Sequence, residues 1–130
     1  MSRLKSAKLV LTSFFLVGVF ACSGVLAKGP TLADAATPIA VTALPQQGMQ
    51  TYDLIHQGGP FAHEKDGMVF GNRERLLPFQ KRGYYREYTV ATPNLRARGV
   101  RRIVCGGAAR TPDACYYTAD HYASFRRIVP

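Results

Sequence analysis

The sequence predicts an α+β domain: one N-terminal amphipathic helix packed on a twisted antiparallel β-sheet. Two observations carry this. Apolar residues recur at helical spacing in an early segment, and beyond it short β-prone runs alternate with Gly, Pro and Asp stops. A helix followed by a series of strands places the helix on one face of a sheet.

The first 27 residues stand apart from that domain. Arg3, Lys5 and Lys8, with no acid among them, precede an uncharged run from Leu9 to Leu26. This is the layout of a signal peptide, with Val25-Leu26-Ala27 as the processing site before Lys28. Residues 1–27 are therefore excluded from the fold, and the protein is expected to be secreted, periplasmic or extracellular. An uncleaved membrane anchor is the alternative, since the run approaches spanning length; Gly18, Ser23 and Gly24 favour cleavage. Val19-Phe20-Ala21-Cys22 adds a lipobox reading in which Cys22 is acylated and retained, though Phe20 fits that pattern poorly. Unless Cys22 is lipidated, no stable membrane association is expected after processing.

Lys28 to Thr42 is rich in Ala, Thr and Pro without apolar periodicity. Residues 28–38 are read as a flexible lead-in, and residues 39–130 as the domain. Pro45 suits a first helical turn, after which Met49, Tyr52, Ile55 and His56 share one face and Gly58-Gly59 ends the helix. Gly48 weakens this helix by about 1 kcal/mol relative to alanine, so packing must hold it. Strands are expected at Met68 to Phe70, Tyr84 to Thr92, Val100 to Cys105, Cys115 to Thr118 and Ala123 to Ile128.

Beyond the leader, two cysteines remain, Cys105 and Cys115. An even count in an exported chain predicts a disulfide, closing a turn-rich loop and worth about 3 kcal/mol. A redox pair is the alternative, but the spacing is not Cys-x-x-Cys.

The formal charge of the whole chain is +9, and removing Arg3, Lys5 and Lys8 leaves +6. Such an excess on a small domain points to a polyanionic partner, nucleic acid or an anionic surface. A solvated face would account for most of these arginines without any function.

Strand alternation places the chemistry. Tyr84, Arg86, Tyr88 and Val90 share one face, and Tyr85, Glu87 and Thr89 the other. With Tyr88, Val90 and Ile103 toward the helix, Glu87 and Arg102 lie together on the opposite face. Cleavage of RNA by its own 2′-hydroxyl needs a base for that proton, cations around the phosphorane and an acid for the leaving 5′-oxygen. Glu87, the arginines and His121 can fill those roles in order. Taken singly, Glu87 reads equally as an ion-pair partner of Arg102, and His121 as an ordinary loop histidine.

Five separated motifs settle more than any single residue: GGPF at Gly58 to Phe61, DGMVFGNRE at Asp66 to Glu74, GYYREYTV at Gly83 to Val90, RGVRRI at Arg98 to Ile103, and DHYASF at Asp120 to Phe125. In order and content they resemble the guanyl-specific microbial ribonucleases, the family of barnase and the Sa-type enzymes, over Ile39 to Arg127. The resemblance implies that Glu87 is the general base and His121 the general acid. It implies that Arg98 and Arg102, with Tyr122 beside them, bind and stabilise the phosphoryl group. It also implies a guanine pocket of Phe70, Gly71, Asn72, Arg73 and Glu74, in which Phe70 stacks, backbone amides meet the base acceptors and the Glu74 carboxylate pairs with the two adjacent donors of guanine. Asn72 can instead satisfy backbone groups of its own loop.

The departures are specific. Gly71 stands where Sa-type members carry glutamine, which predicts a looser pocket and a less strict guanine preference. Arg86 replaces the histidine that commonly precedes the catalytic glutamate. Ala40 stands where one cysteine of the Sa-type terminal disulfide is expected, so that bridge is not anticipated.

The implied activity is endonucleolytic cleavage of single-stranded RNA 3′ to guanosine, by transesterification to a 2′,3′-cyclic phosphate and later hydrolysis. No cofactor is expected. No metal is expected either, since His56, His63 and His121 fit no ligand spacing. RNA is the expected partner of a monomer, and the resemblance adds an inhibitor protein of the barstar type as a partner to look for. The competing function is a non-catalytic basic extracytoplasmic module that binds nucleic acid or other polyanions.

Overall fold

The structure is a computed structural model that describes residues 32–130. The leader expected at residues 1–27, with Cys22, lies outside the described residues. A four-residue helix α1 (Leu32–Ala35) and a two-residue strand β1 (Ile39–Ala40) lead through a 3₁₀ turn (Val41–Ala43) into helix α2 (Gln46–Gln57). Five strands follow: β2 (Met68–Val69), β3 (Tyr85–Thr89), β4 (Arg102–Gly107), β5 (Pro112–Thr118) and β6 (Arg126–Val129).

Pro45 caps α2 from outside the helix, and its carbonyl accepts the Gly48 and Met49 amides. At the other end Gly58 takes φ +88°, a left-handed cap that suits glycine, and the amides of Gly58 and Gly59 close on Leu54. The buried stripe is Gly48, Thr51 and Ile55, with Met49 and Tyr52 beside it. His56, expected on that face, is exposed instead, its Nδ1 lying 2.9 Å from the Tyr52 carbonyl. The stripe is centred one position earlier because Gly48 lets the helix close on Leu44: a Cβ there would lie 3.3 Å from Leu44 Cβ. The same glycine that lowers helix propensity thus permits the packing that replaces it.

The sheet order is β1-β6-β5-β4-β3-β2, with β1 parallel to β6 and every other neighbour antiparallel. The α+β architecture matches the sequence expectation, and β1 is an addition to it. Residues 32–38 also do more than lead in. Ala33 is 1% exposed and its amide donates to the Leu76 carbonyl, while Arg126 donates to the carbonyls of Thr37 and Pro38.

Both faces of the sheet are covered. Ile55, Tyr88, Val90, Ile103, Tyr117 and Ile128 fill the space under α2, and Leu77, Tyr85, Val104, Tyr116 and Phe125 form a second cluster on the far face. Tyr84, expected on the helix face, packs on the far cluster because it precedes β3 and lies over Gly106, where a Cβ would sit inside its ring. Cys105 and Cys115, directly opposite on β4 and β5, form the expected disulfide.

Candidate functional site

Glu87 sits in mid-β3 facing away from α2, as the alternation predicts, opposite Val104 of the far-face cluster. Its two carboxylate oxygens are held by different partners. Arg98 Nη2 donates to Oε1 at 2.8 Å, an ion pair with side chains only 23% and 14% exposed, and the Tyr122 hydroxyl donates to Oε2 at 2.7 Å. Hydrogen bonds to an ionised group of this length are among the strong ones.

Arg102 lies behind this pair and is 2% exposed. Its Nη1 donates to the carbonyls of Gly99 and Arg101, and Nε donates to the Tyr122 hydroxyl at 3.1 Å, with the guanidinium carbon 5.8 Å from the centre of that ring. Tyr122 therefore relays between Arg102 and Glu87. Burial first, and then the hydrogen bond and charge of Glu87, push its phenol above the ordinary value, so it stays a donor at neutral pH.

His121 and Tyr122 occupy the loop after β5 with φ of +54° and +70°, a left-handed region that non-glycine residues rarely adopt. Thr118 and Asp120 hold the loop. The Thr118 hydroxyl donates to Asp120 Oδ1 and accepts the Tyr122 amide, while Asp120 accepts the backbone and side-chain donors of Ser124. Burial alone would raise the Asp120 carboxyl, but donors from Ser124, Thr118 and its own amide hold it below the usual carboxylate range. This loop also displaces the strand expected from Ala123: β6 starts at Arg126 because the Ala123 and Ser124 amides turn back to Asp120. His121 is exposed, its ring 4.9 Å from that of Tyr122.

Beside the cluster lies a cavity of about 260 Å³ walled by Phe70 to Glu74, Leu76, Tyr122 and Phe125. All five residues expected of a base pocket line it. Phe70 stacks on Tyr122 at 5.2 Å and meets Phe125 edge-on. The Asn72 side chain closes the loop on itself, donating to the Leu77 carbonyl and accepting its amide. A polar residue with φ +48° tied in this way pins the loop at its turn. Gly71 has no left-handed φ, and a Cβ there would meet Arg73 Cγ only at 3.7 Å, so neither backbone nor space demands glycine. A roomier cavity of about 590 Å³ between β6 and the start of β5 carries one acidic side chain, Asp113, which already accepts the Tyr84 hydroxyl.

Five residues outside the expected set support the site. Thr89 Oγ1 accepts Arg98 Nε at 2.8 Å, while Asp66 Oδ1 accepts the Thr89 amide and Thr51 of α2 donates to its carbonyl. Phe125 and Leu76 complete the pocket wall. Of these, Asp66, Thr89 and Phe125 fall within the DGMVFGNRE, GYYREYTV and DHYASF motifs, while Thr51 and Leu76 carry no local signal of their role.

Fold and cluster define a class: an α+β domain with its longer helix on one face of the sheet and, on the other, a carboxylate joined to one arginine by an ion pair and to a second through a phenol, beside an aromatic pocket. A family model described as ribonuclease matches residues 29–129, and the chain belongs to that ribonuclease family. It is 54% identical over 90 residues to guanyl-specific ribonuclease Sa3 of Kitasatospora aureofaciens, covering 69% of this chain and 62% of that relative's length. It is 48% identical over 95 residues to guanyl-specific ribonuclease Sa of the same organism, covering 73% of this chain and 96% of the relative. Among solved structures, ribonuclease Sa2 with guanosine-2′-cyclophosphate superposes with a TM-score of 0.66 at 44% identity, covering 72% of this chain and 96% of the other.

Proposed function

We propose that this protein is an endoribonuclease that cuts single-stranded RNA on the 3′ side of guanosine without a metal ion. Glu87 takes the proton of the 2′-hydroxyl, the freed oxygen attacks the adjacent phosphorus, and the 5′-oxygen leaves with a proton from His121. The product is a 2′,3′-cyclic phosphate, which water opens by the reverse use of the same two groups. Arg98 and Arg102 stabilise the charge on the phosphoryl oxygens, with Tyr122 as a neutral donor between them.

One observation carries this reading. Tyr122 belongs to both halves of the site: its hydroxyl bonds Glu87 while its ring stacks on Phe70 in the pocket. A base in the pocket therefore brings its own ribose to the carboxylate. Guanine is the base that fits, since Glu74 offers a carboxylate to two adjacent donors and the amides of Gly71 to Glu74 make no backbone hydrogen bonds among the described residues. The names of the relatives, guanyl-specific ribonucleases, point the same way.

The reading extends to place and partners. The leader motif and the disulfide support an exported protein that works outside the cytoplasm; it is expected to act as a monomer, and a barstar-type inhibitor is a partner to look for. The test is incubation of the purified domain with a defined oligonucleotide in excess EDTA. Ends carrying a 2′,3′-cyclic phosphate after guanosine are the expected result; RNA that is bound and left intact would replace the enzyme with a polyanion-binding module.

A further inference from the structure

Arg86 and Tyr88 alternate with Glu87 along β3 and so face α2, on the side of the sheet away from the Glu87 cluster. There a cavity of about 310 Å³ opens at the C-terminal end of α2, lined by Ile55 and Phe61, by Tyr88, and by two arginines, Arg86 and Arg110. No carboxylate stands in its wall.

Three donors border this space. Arg86 Nη1 donates to the Gly67 carbonyl at 2.8 Å, which fixes the guanidinium and leaves its other N–H groups unspent. Arg110 is held by packing: its guanidinium lies over Gly58, where a Cβ would come within 3.1 Å of Nε, and it makes no hydrogen bond or ion pair with a described residue. Tyr88 is the third. It is 3% exposed, its ring edge lies 3.9 Å from where a Cβ on Gly67 would stand, and its hydroxyl has no hydrogen-bond partner among the described residues. Burial, and then the charge of Asp66, raise its phenol against the opposing charge of Arg86, so the hydroxyl keeps its proton. Among the described residues no side-chain oxygen or nitrogen sealed from solvent lacks a partner, so the Tyr88 oxygen opens outward, and the cavity it borders is the way out.

An arginine laid over a helix C-terminus interacts favourably with the dipole and needs no ligand. That accounts for Arg110 alone. It leaves a nearly buried phenol without an acceptor and a second guanidinium beside it, in a wall whose polar side chains offer donors only. Donors without acceptors select an oxyanion, and the planar fork of arginine matches phosphate. The space is larger than that ion. Its volume reaches the lower end of small-molecule sites, about 300–1,000 Å³, and the half-buried Phe61, 5.0 Å from the Tyr88 ring, borders it with an aromatic surface.

We propose that this cavity is a second nucleotide-binding site, on the helix side of the sheet, in which Arg86, Arg110 and the Tyr88 hydroxyl take the phosphate and Phe61 takes the base. A free mononucleotide and one residue of a single strand present the same phosphate and ring, and aromatic stacking beside cations holds either without sequence preference. The site does not depend on the ribonuclease reading, because neither Glu87 nor His121 lines it.

The test is titration of the protein with 5′-AMP, adenosine, inorganic phosphate and oligoadenylate, followed by backbone amide shifts in NMR spectra. Adenine keeps the probes out of the guanine pocket. AMP is expected to move the amides of Gly58, Gly67 and Arg110 and to bind at least about tenfold more tightly than phosphate or adenosine alone, the scale of one added stacked base or charged hydrogen bond. Arg110→Ala removes an exposed side chain and Tyr88→Phe a hydroxyl without a partner, so both variants should fold, and each should weaken AMP about tenfold or more. Oligoadenylate that loses affinity in the same variants identifies a strand as the ligand; oligoadenylate that does not identifies the free nucleotide. Three results overturn the site: AMP shifts confined to the Glu87 side of the sheet, AMP affinity that survives both variants, or inorganic phosphate bound as tightly as AMP. Since binding is read without cleavage, failure of the ribonuclease reading leaves each of these outcomes interpretable.

Discussion

The Tyr122 hydroxyl donates to Glu87 Oε2 at 2.7 Å while accepting from Arg102 Nε at 3.1 Å, so one phenol ties a carboxylate on β3 to a buried guanidinium on β4. Tyr122→Phe removes both bonds and keeps the ring stacked on Phe70. A hydrogen bond to a charged group contributes about 1.5–3 kcal/mol, so kcat/KM for RNA should fall about ten- to a hundredfold. Unchanged kinetics would remove Tyr122 from the machinery.

Glu87→Ala and His121→Ala test the two proton transfers. Each should lower kcat by about 10²- to 10⁴-fold with an unaltered far-UV spectrum. His121 is exposed, so its variant is the cleaner of the two; full activity in either would reject the assigned role.

Thr89→Val takes away the hydroxyl that accepts Arg98 Nε and leaves the backbone links to Asp66 and Thr51 intact. With Arg98 held only by Glu87, kcat is expected to drop several-fold, and Thr89→Ser should restore it. A fall in melting temperature without a change in kcat would mark Thr89 as structural only.

Glu74 and Gly71 bear on base choice. Glu74→Ala should erode discrimination between guanosine and adenosine by about one to two orders of magnitude, as an unpaired donor set costs 1–3 kcal/mol, with much smaller effects on a substrate lacking both donors. Gly71→Gln, which the open space above Arg73 accommodates, is expected to sharpen the preference. Competition between GpU and ApU for each variant reads both effects.

Asp120 predicts a pH effect on stability. Its folded carboxyl lies below the usual range because the Ser124 and Thr118 donors outweigh the opposing effect of burial. The unfolded chain therefore binds more protons through that range, so this stabilisation is complete above the ordinary carboxylate pKa of about 3.9 and is lost as pH falls through the lower folded value. Asp120→Asn should lower the urea midpoint at pH 7, and the gap to the unaltered protein should close toward pH 2. A gap that is constant with pH would assign the effect to the loop rather than to the charge.

Local grammar was legible in the residues and long-range pairing was not. The Gly58-Gly59 stop ends α2 where expected, and the alternation of Tyr88, Val90 and Ile103 against Glu87 and Arg102 correctly separates the two faces. By contrast, β1 is two residues whose strand character comes wholly from β6, at the far end of the sequence. Ala33 is buried through contacts made by the 70s loop and β6, which no pattern around it encodes. Thr89 looked like an ordinary strand threonine because its importance lies in Arg98, reached only when the following loop folds back.

The parallel pairing of Ile39 with Ile128 has a consequence for when the groove comes into being. While a ribosome still holds Arg126 to Val129, β1 has no neighbour, Ile128 is missing beneath α2, and the loop that carries His121 is tied to nothing beyond it. The sheet that carries the cluster is therefore completed only after nearly every described residue has emerged.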